Sequence, residues 1–131
     1  MNDFAEVLAT NPSRLVVTFR RGPDGSEQFQ WGVVGNIPIL SLIGHILEVQ
    51  RELIQYEYIP ECDAEGQPPA LVIVWDVSEQ TFKDYKHPAI PNVSLVGMLE
   101  VIKGLLVTSR MAQHMAAQQT RIVGPDGRPM R

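Results

Sequence analysis

Apolar and polar positions alternate along two stretches near the start of the chain, and this alternation predicts a β-hairpin. The first stretch, RLVVTFRR at 14–21, is rich in β-branched and aromatic residues. In the second, SEQFQWGVV at 26–34, the aromatic and aliphatic residues fall on one face. The segment GPDG at 22–25 has the proline and Asp-Gly composition of a tight turn. Residues 3–10 are predicted as a short helix or an irregular lead-in.

Two longer segments have the spacing of helices. Between Pro38 and about Tyr58, polar residues recur every three or four positions and form one narrow stripe, which consists of Ser41, His45, Glu48, Glu52 and Gln55. The second helix is predicted from near Asn92 to about Ala117. Between the two helices, ALVIVWDV at 70–77 is a nearly continuous apolar run that indicates a central strand.

The order of these elements predicts an α+β fold. We expect a β-hairpin, a helix, a strand and a long helix, which together form a three-stranded antiparallel or mixed sheet with two helices on one face. Residues 78–91, which show no clear periodicity, are predicted as a loop. Residues 1–118 are predicted to form a single domain, and 119–131 a C-terminal tail or lid.

The two predicted helices begin with similar octapeptides, IPILSLIG at 37–44 and IPNVSLVG at 90–97, which lie 53 residues apart. In the second helix, Gly97 and Gly104 continue a face of small residues. Glycine inside a helix costs about 1 kcal/mol relative to alanine, so we expect another helix to approach closely, within the chain or across a dimer. A role for these glycines in ligand binding is the alternative. The apolar surplus on both helices further predicts a homo-oligomer, a dimer or higher.

Composition fits a folded domain without membrane spans. Of the 131 residues, 44% are hydrophobic and 20% are charged. The longest apolar runs are interrupted well before the roughly 18 residues that a membrane span needs. The N-terminal segment has no basic region typical of a signal peptide, and the single cysteine, Cys62, has no internal partner. Together these features favour a cytoplasmic location.

The net charge of −4 is distributed unevenly. Residues 1–82 contain four basic and twelve acidic residues, whereas 83–131 contain seven basic and three acidic residues. This excess is too small for a broad nucleic-acid-binding face, but a small anionic ligand needs only a few cations. Alternatively, the basic residues simply accumulate at the ends of the second helix and in a solvated tail.

Motifs of catalysis, metal binding and cofactor binding are missing from the sequence. It contains no CxxC, HExxH, GxGxxG or GxxxxGK pattern, so we expect no enzyme activity, metal or cofactor. An enzyme that uses His87 or His114 as acid or base is a weaker alternative.

Binding has better support. The predicted loop places an aromatic ring beside cations, namely Phe82, Lys86 and His87, before the start of the second helix. There Asn92 is either an anion-site residue or a plain N-cap. Arg110 and His114 lie one turn apart near the other end, followed by Arg121. Asn92 and Arg110 are about 27 Å apart along a helix, so only antiparallel helices of two copies would bring both to one ligand.

This layout, with Phe82, Asn92 and Arg110 in these places, resembles the phage Thoeris anti-defence sponges of the first type. The resemblance implies a non-catalytic phage protein that sequesters a cyclic ADP-ribose isomer, or another cyclic nucleotide, in the host cytoplasm. It implies that Phe82 stacks on the base, that Asn92 contacts it and that Arg110 holds the pyrophosphate. His114 stands where a second late arginine would be expected. The alternative is an oligomeric protein–protein interaction or virion assembly module without a small-molecule ligand.

Overall fold

The computed structural model describes residues 4–62 and 69–121. Its seven elements, in chain order, are α1 (Phe4–Thr10), β1 (Arg14–Arg21), β2 (Glu27–Val34), α2 (Ile39–Ile54), β3 (Leu71–Asp76), β4 (Thr81–Lys86) and α3 (Asn92–Arg121). The predicted α+β class is confirmed, and the lead-in before the hairpin is helical.

The strands form one sheet in the order β2-β1-β3-β4, and every neighbouring pair is antiparallel. The predicted hairpin is confirmed, but the prediction of three strands is wrong, because β4 lies within the predicted loop 78–91. Four of the six residues of β4 are polar or charged, so its sequence lacks the apolar run of β3. An edge strand needs little apolar surface, and here pairing along the whole length of β3 fixes the strand.

Helices α2 and α3 cover one face of the sheet, as predicted. They run in opposite directions, since Asn92 at the start of α3 donates a hydrogen bond to the carbonyl of Leu53 at the end of α2. The core lies between this helical layer and the sheet, and its innermost members are Leu15, Val17, Leu71 and Ile73 from the strands, Leu42, Ile46, Val49 and Leu53 from α2, and Leu95, Leu99 and Ile102 from α3. Each such side chain contributes about 1.5–3 kcal/mol through burial.

The opposite face of the sheet carries a smaller apolar cluster around α1. Phe4 packs against Tyr85 with 4.8 Å between ring centroids, and Cys62 is buried in the same cluster. Burial raises the pKa of the Cys62 thiol to about 12. The thiol is therefore protonated at neutral pH and is a poor nucleophile.

The helix ends differ from the predicted ones. α2 ends at Ile54 rather than near Tyr58, because Tyr56 has a φ of 55° and turns the chain out of the helix. α3 runs to Arg121, past the predicted end at Ala117 and into the segment predicted as a tail. The rest of that predicted tail or lid, 122–131, lies outside the described residues.

Candidate functional site

Phe82 lies in strand β4, on the side that faces the helices, rather than in a loop. Its ring stacks on the imidazole of His45 at 4.8 Å with an interplanar angle of 26°. It also contacts Trp75 at 4.8 Å in a tilted arrangement. The Phe82 ring thus packs between α2 and the sheet through these two contacts and remains partly exposed.

Three other predicted ligand residues lie around the connection between β4 and α3, and each makes a local hydrogen bond. Lys86 Nζ donates to the carbonyls of His87 and Ile90, both at 3.0 Å. His87 Nδ1 accepts from the backbone N–H of Ala89. The Asn92 side-chain amide donates to the Leu53 carbonyl at 2.9 Å. These contacts shape the connection and join α3 to α2.

Arg110 is exposed near the other end of α3, where it borders a hollow of about 260 Å³ beside Trp31 and Val33. His114 and Arg121 lie farther along α3, in a part of the helix whose side chains fall outside the described residues. Within one chain the structure therefore brings Lys86, His87 and Asn92 into one connection, and leaves Arg110 at the far end of the helix.

Sequence reasoning missed a buried ion pair between α2 and β4. His45 Nε2 and Asp84 Oδ1 are 2.6 Å apart, and both side chains are largely buried. Burial lowers the pKa of His45, but the hydrogen bond and charge of Asp84, with Glu48 and Glu52 nearby, outweigh it and raise the pKa overall. Phe82 and Asp84 alternate with Lys83 and Tyr85, so in a strand they share one face. This alternation predicts the contact with α2 only if 81–86 is first recognised as a strand.

The glycines of the helices do not mark a tight crossing within the chain, so that option is wrong. A Cβ atom built on Gly44, Gly97 or Gly104 meets no neighbouring atom within 4 Å. All three residues are exposed on the outer side of the helical layer. The other option, a crossing between two copies, stays a prediction.

Around these glycines the helical layer presents to solvent a surface rich in apolar side chains, with Arg51, Glu100 and Lys103 in the groove between α2 and α3. We define the outer helical face as this surface, which comprises the open glycines Gly97 and Gly104 together with the exposed side chains of Leu40, Leu47, Ile54, Val93, Val101, Leu105 and Met111. Val93 is 78% exposed and Met111 is 60% exposed. The α2 and α3 parts adjoin, because Ile54 and Val93 line one hollow. Exposed apolar side chains grouped on one face commonly mark an interaction site.

The charges beside this face are neutralised locally. Gln50 donates hydrogen bonds to the Val96 carbonyl and to Glu100 Oε2, and Lys103 Nζ lies 3.0 Å from the same oxygen. The Gln50 amide, and then Lys103, lower the pKa of Glu100. Glu100 and Lys103 therefore form a neutralised pair in the groove between α2 and α3.

The segment Asn92–Met111 is long and apolar enough to cross a membrane by length and composition alone. It is the only such helix in the part of the chain that the structure describes. One side of this segment packs against the sheet through Leu95, Leu99 and Ile102, and most of the rest of it is exposed. Its apolar composition reflects two separate surfaces, one packed on the sheet and one facing outward.

Comparisons with protein-family models, with curated proteins and with solved structures gave no match for this chain.

Proposed function

We propose that this protein is a non-catalytic interaction module that pairs with a second copy of itself through the outer helical face. The observation that carries the proposal is the row of exposed apolar residues along α3, among them Val93, Val101 and Met111, with open glycines between them. This row lies on the side of α3 that faces away from the sheet. It therefore contributes nothing to the stability of the single chain.

The size of the outer helical face is suitable for a dimer. Twenty residues of α3 at 1.5 Å each, beside a second helix about 10 Å away, give a footprint of roughly 600 Å². A standard interface uses about 800 Å² from each partner. A second copy fits this face better than a charged partner does, since the exposed row along α3 is apolar and Glu100 is paired with Lys103. Such a face is compatible with itself about a two-fold axis.

The glycines support a helix as the element that docks. Gly97 and Gly104 are seven residues apart, so they lie on one side of α3 two turns apart. A helix that lacks side chains at such positions lets a second helix approach closely and gain contacts along its length. The cost of two interior glycines, about 1 kcal/mol each, is then offset in the dimer.

The test is the molar mass in solution of the full chain and of two matched variants, measured by light scattering at about 100 µM. We expect the wild type to have twice the 14.6 kDa of one chain. Val101→Glu, which places like charges close together in the dimer, should give the single-chain mass. Glu48→Gln changes the position of α2 that corresponds to Val101, 53 residues earlier, and should leave the dimer intact.

A wild type with the mass of one chain would overturn the proposal, and so would a Val101→Glu variant that remains dimeric. Binding of a monomeric wild type to vesicles of mixed neutral and anionic phospholipids would assign the outer helical face to a membrane surface instead.

Sequestration of a cyclic nucleotide stays a prediction. Phe82 and Asn92 already use their ring and amide for contacts within the chain. A thermal-shift measurement with cyclic ADP-ribose isomers tests it separately from the mass measurement, because ligand binding raises the unfolding temperature of either a monomer or a dimer.

A further inference from the structure

The face of the sheet opposite α2 and α3 carries a second surface with different chemistry. Beside α1, the sheet forms an open cleft of about 520 Å³. We call it the arginine cleft, and its side chains that matter here are Arg14, Val16, Thr18 and Arg20 from β1 with Gln28 and Gln30 from β2. It lies on the other side of the sheet from the outer helical face, so self-association leaves it open.

The cleft is positive although the chain as a whole is acidic. Both arginines line it, no residue among the described lining set is acidic, and neither arginine forms an ion pair within the part of the chain that the structure describes. Arg14 is held in place by a hydrogen bond from Nη1 to the Pro12 carbonyl at 2.9 Å. At physiological salt, charges beyond about 8 Å are largely screened, so an approaching ligand meets these two guanidinium groups rather than the net charge of −4.

The spacing of the arginines determines the shape of the ligand. They are six residues apart on one strand, so their Cα atoms are separated by roughly 20 Å. A single phosphate or carboxylate cannot contact both. Between them the floor offers the apolar surface of Val16 and the amides of Gln28 and Gln30, which suits an extended chain with alternating apolar and polar side chains.

A peptide fits this floor better than a nucleic acid does. Binding of single-stranded nucleic acid relies on exposed aromatic rings for stacking. The two rings that line the cleft, Phe4 and Phe19, instead pack in a tilted arrangement against Tyr85 and Phe29, with 4.8 and 5.1 Å between ring centroids. Arginine recognises carboxylates with two parallel hydrogen bonds. We propose that the arginine cleft binds an extended acidic peptide segment of a partner protein, with one carboxylate at Arg14 and another about six residues away at Arg20.

Fluorescence anisotropy with two labelled heptapeptides tests this proposal on the full chain. The first probe has glutamate at both ends with alternating valine and threonine between them, and it spans about 20 Å when extended. The second has the same composition with both glutamates adjacent at the centre. We expect the first to bind and the second to bind about tenfold more weakly, because it can engage only one arginine at a time.

Arg20 is the residue to change first, since it is exposed and its loss leaves the fold intact. Arg20→Gln should weaken the first probe about tenfold and remove the difference between the probes. Arg51→Gln is the matched control, because Arg51 is an exposed arginine on α2 that pairs with Glu57, and it should bind like the wild type.

Equal affinity of the two probes, or equal affinity of Arg20→Gln and the wild type, would overturn the proposal. A lack of binding at millimolar concentrations of the first probe would also overturn it. If a single-stranded oligonucleotide of equal length bound more tightly than the first probe, the arginine cleft would be assigned to nucleic acid instead.

Discussion

The two helices of the layer begin alike and present different surfaces to solvent. At an offset of 53 residues, Leu42, Ile46 and Val49 of α2 correspond to Leu95, Leu99 and Ile102 of α3, and all six are fully buried. On the outward side the correspondence holds only at the start, where Leu40 and Gly44 match Val93 and Gly97. Farther along it fails, because Glu48, Arg51 and Gln55 of α2 match Val101, Gly104 and Thr108 of α3. The inward halves are therefore explained by one sheet, whereas the apolar residues on the outward half of α3 are exposed to solvent.

This comparison shows how similar sequences are put to different uses. The shared positions are those that the sheet covers, and they make both helices dock in the same way. Most positions that differ face solvent. One of them faces strand β4, because His45 of α2 contacts Asp84. The residue of α3 that corresponds to His45 is Met98.

Leu42→Ala and Leu95→Ala should each lower the free energy of unfolding by about 3 kcal/mol, because each removes a fully buried side chain and leaves a cavity. Urea denaturation of both variants measures this. If either variant lost less than about 1 kcal/mol, the two inward faces would not be equivalent. Val77→Ala, at a 62% exposed position outside the outer helical face, is the control and should change little.

Asp84→Asn should lower stability by about 1–2 kcal/mol near pH 6, because it removes the anionic partner of a largely buried histidine. The pKa of His45 is raised in the folded state, so its stabilising contribution is complete below the unfolded value of about 6.5 and is lost as pH rises through the folded pKa. Urea denaturation should give a lower free energy of unfolding at about pH 8.5 than at about pH 6 for the wild type, and a smaller difference for Asp84→Asn. The prediction is contradicted if the stability of the wild type relative to His45→Met is the same at both pH values. His87→Gln is the control and should follow the wild type.

Asn92→Ala should lower stability by about 1 kcal/mol, since the Asn92 amide donates the hydrogen bond that ties the start of α3 to the end of α2. The start of α2 has no such side-chain bond. Asn36→Ala, just before α2, should therefore be nearly neutral, because only the backbone N–H of Asn36 is bonded, to Ser13 Oγ. Urea denaturation measures both variants. If Asn92→Ala and Asn36→Ala lost the same free energy of unfolding, the starts of α2 and α3 would not differ in this way.

Gly44→Ala and Gly97→Ala should each raise the stability of the monomer by about 0.5–1 kcal/mol, because the new methyl group meets no atom within 4 Å and alanine favours the helix. Unfolding at low protein concentration measures this effect. Under the proposed pairing, Gly97→Ala should also weaken the dimer in sedimentation experiments, whereas Gly44→Ala should not. An unchanged dimer in both variants would place the contact away from Gly97.

The fold was predictable where periodicity was strong. The hairpin, the central strand and both long helices follow from alternating or helical spacing. The repeated octapeptide marks where each of the two long helices begins. β4 was not predictable in this way, because Lys83, Asp84 and Lys86 conceal an edge strand that exists through its pairing with β3. The end of α2 was missed for a similar reason, since the turn at Tyr56 is set by tertiary context.

The candidate surfaces were predictable only in part. The apolar surplus indicated an exposed face, but sequence alone could not separate residues packed on the sheet from those on its outer side. In the sequence Lys86 and Asn92 are polar residues without an evident partner. In the structure both donate to backbone carbonyls, and a sequence does not indicate which carbonyls lie nearby. Arg14 and Arg20 do have a signal, because residues an even number of positions apart on a strand share a face.

Burial of Cys62 makes the chain convenient for thiol chemistry. A maleimide dye or spin label would react slowly with the buried Cys62 and quickly with a single cysteine introduced at an exposed position such as 101. In a two-fold pair, such labels would report one distance between copies, and air oxidation would join the pair covalently when that distance is short.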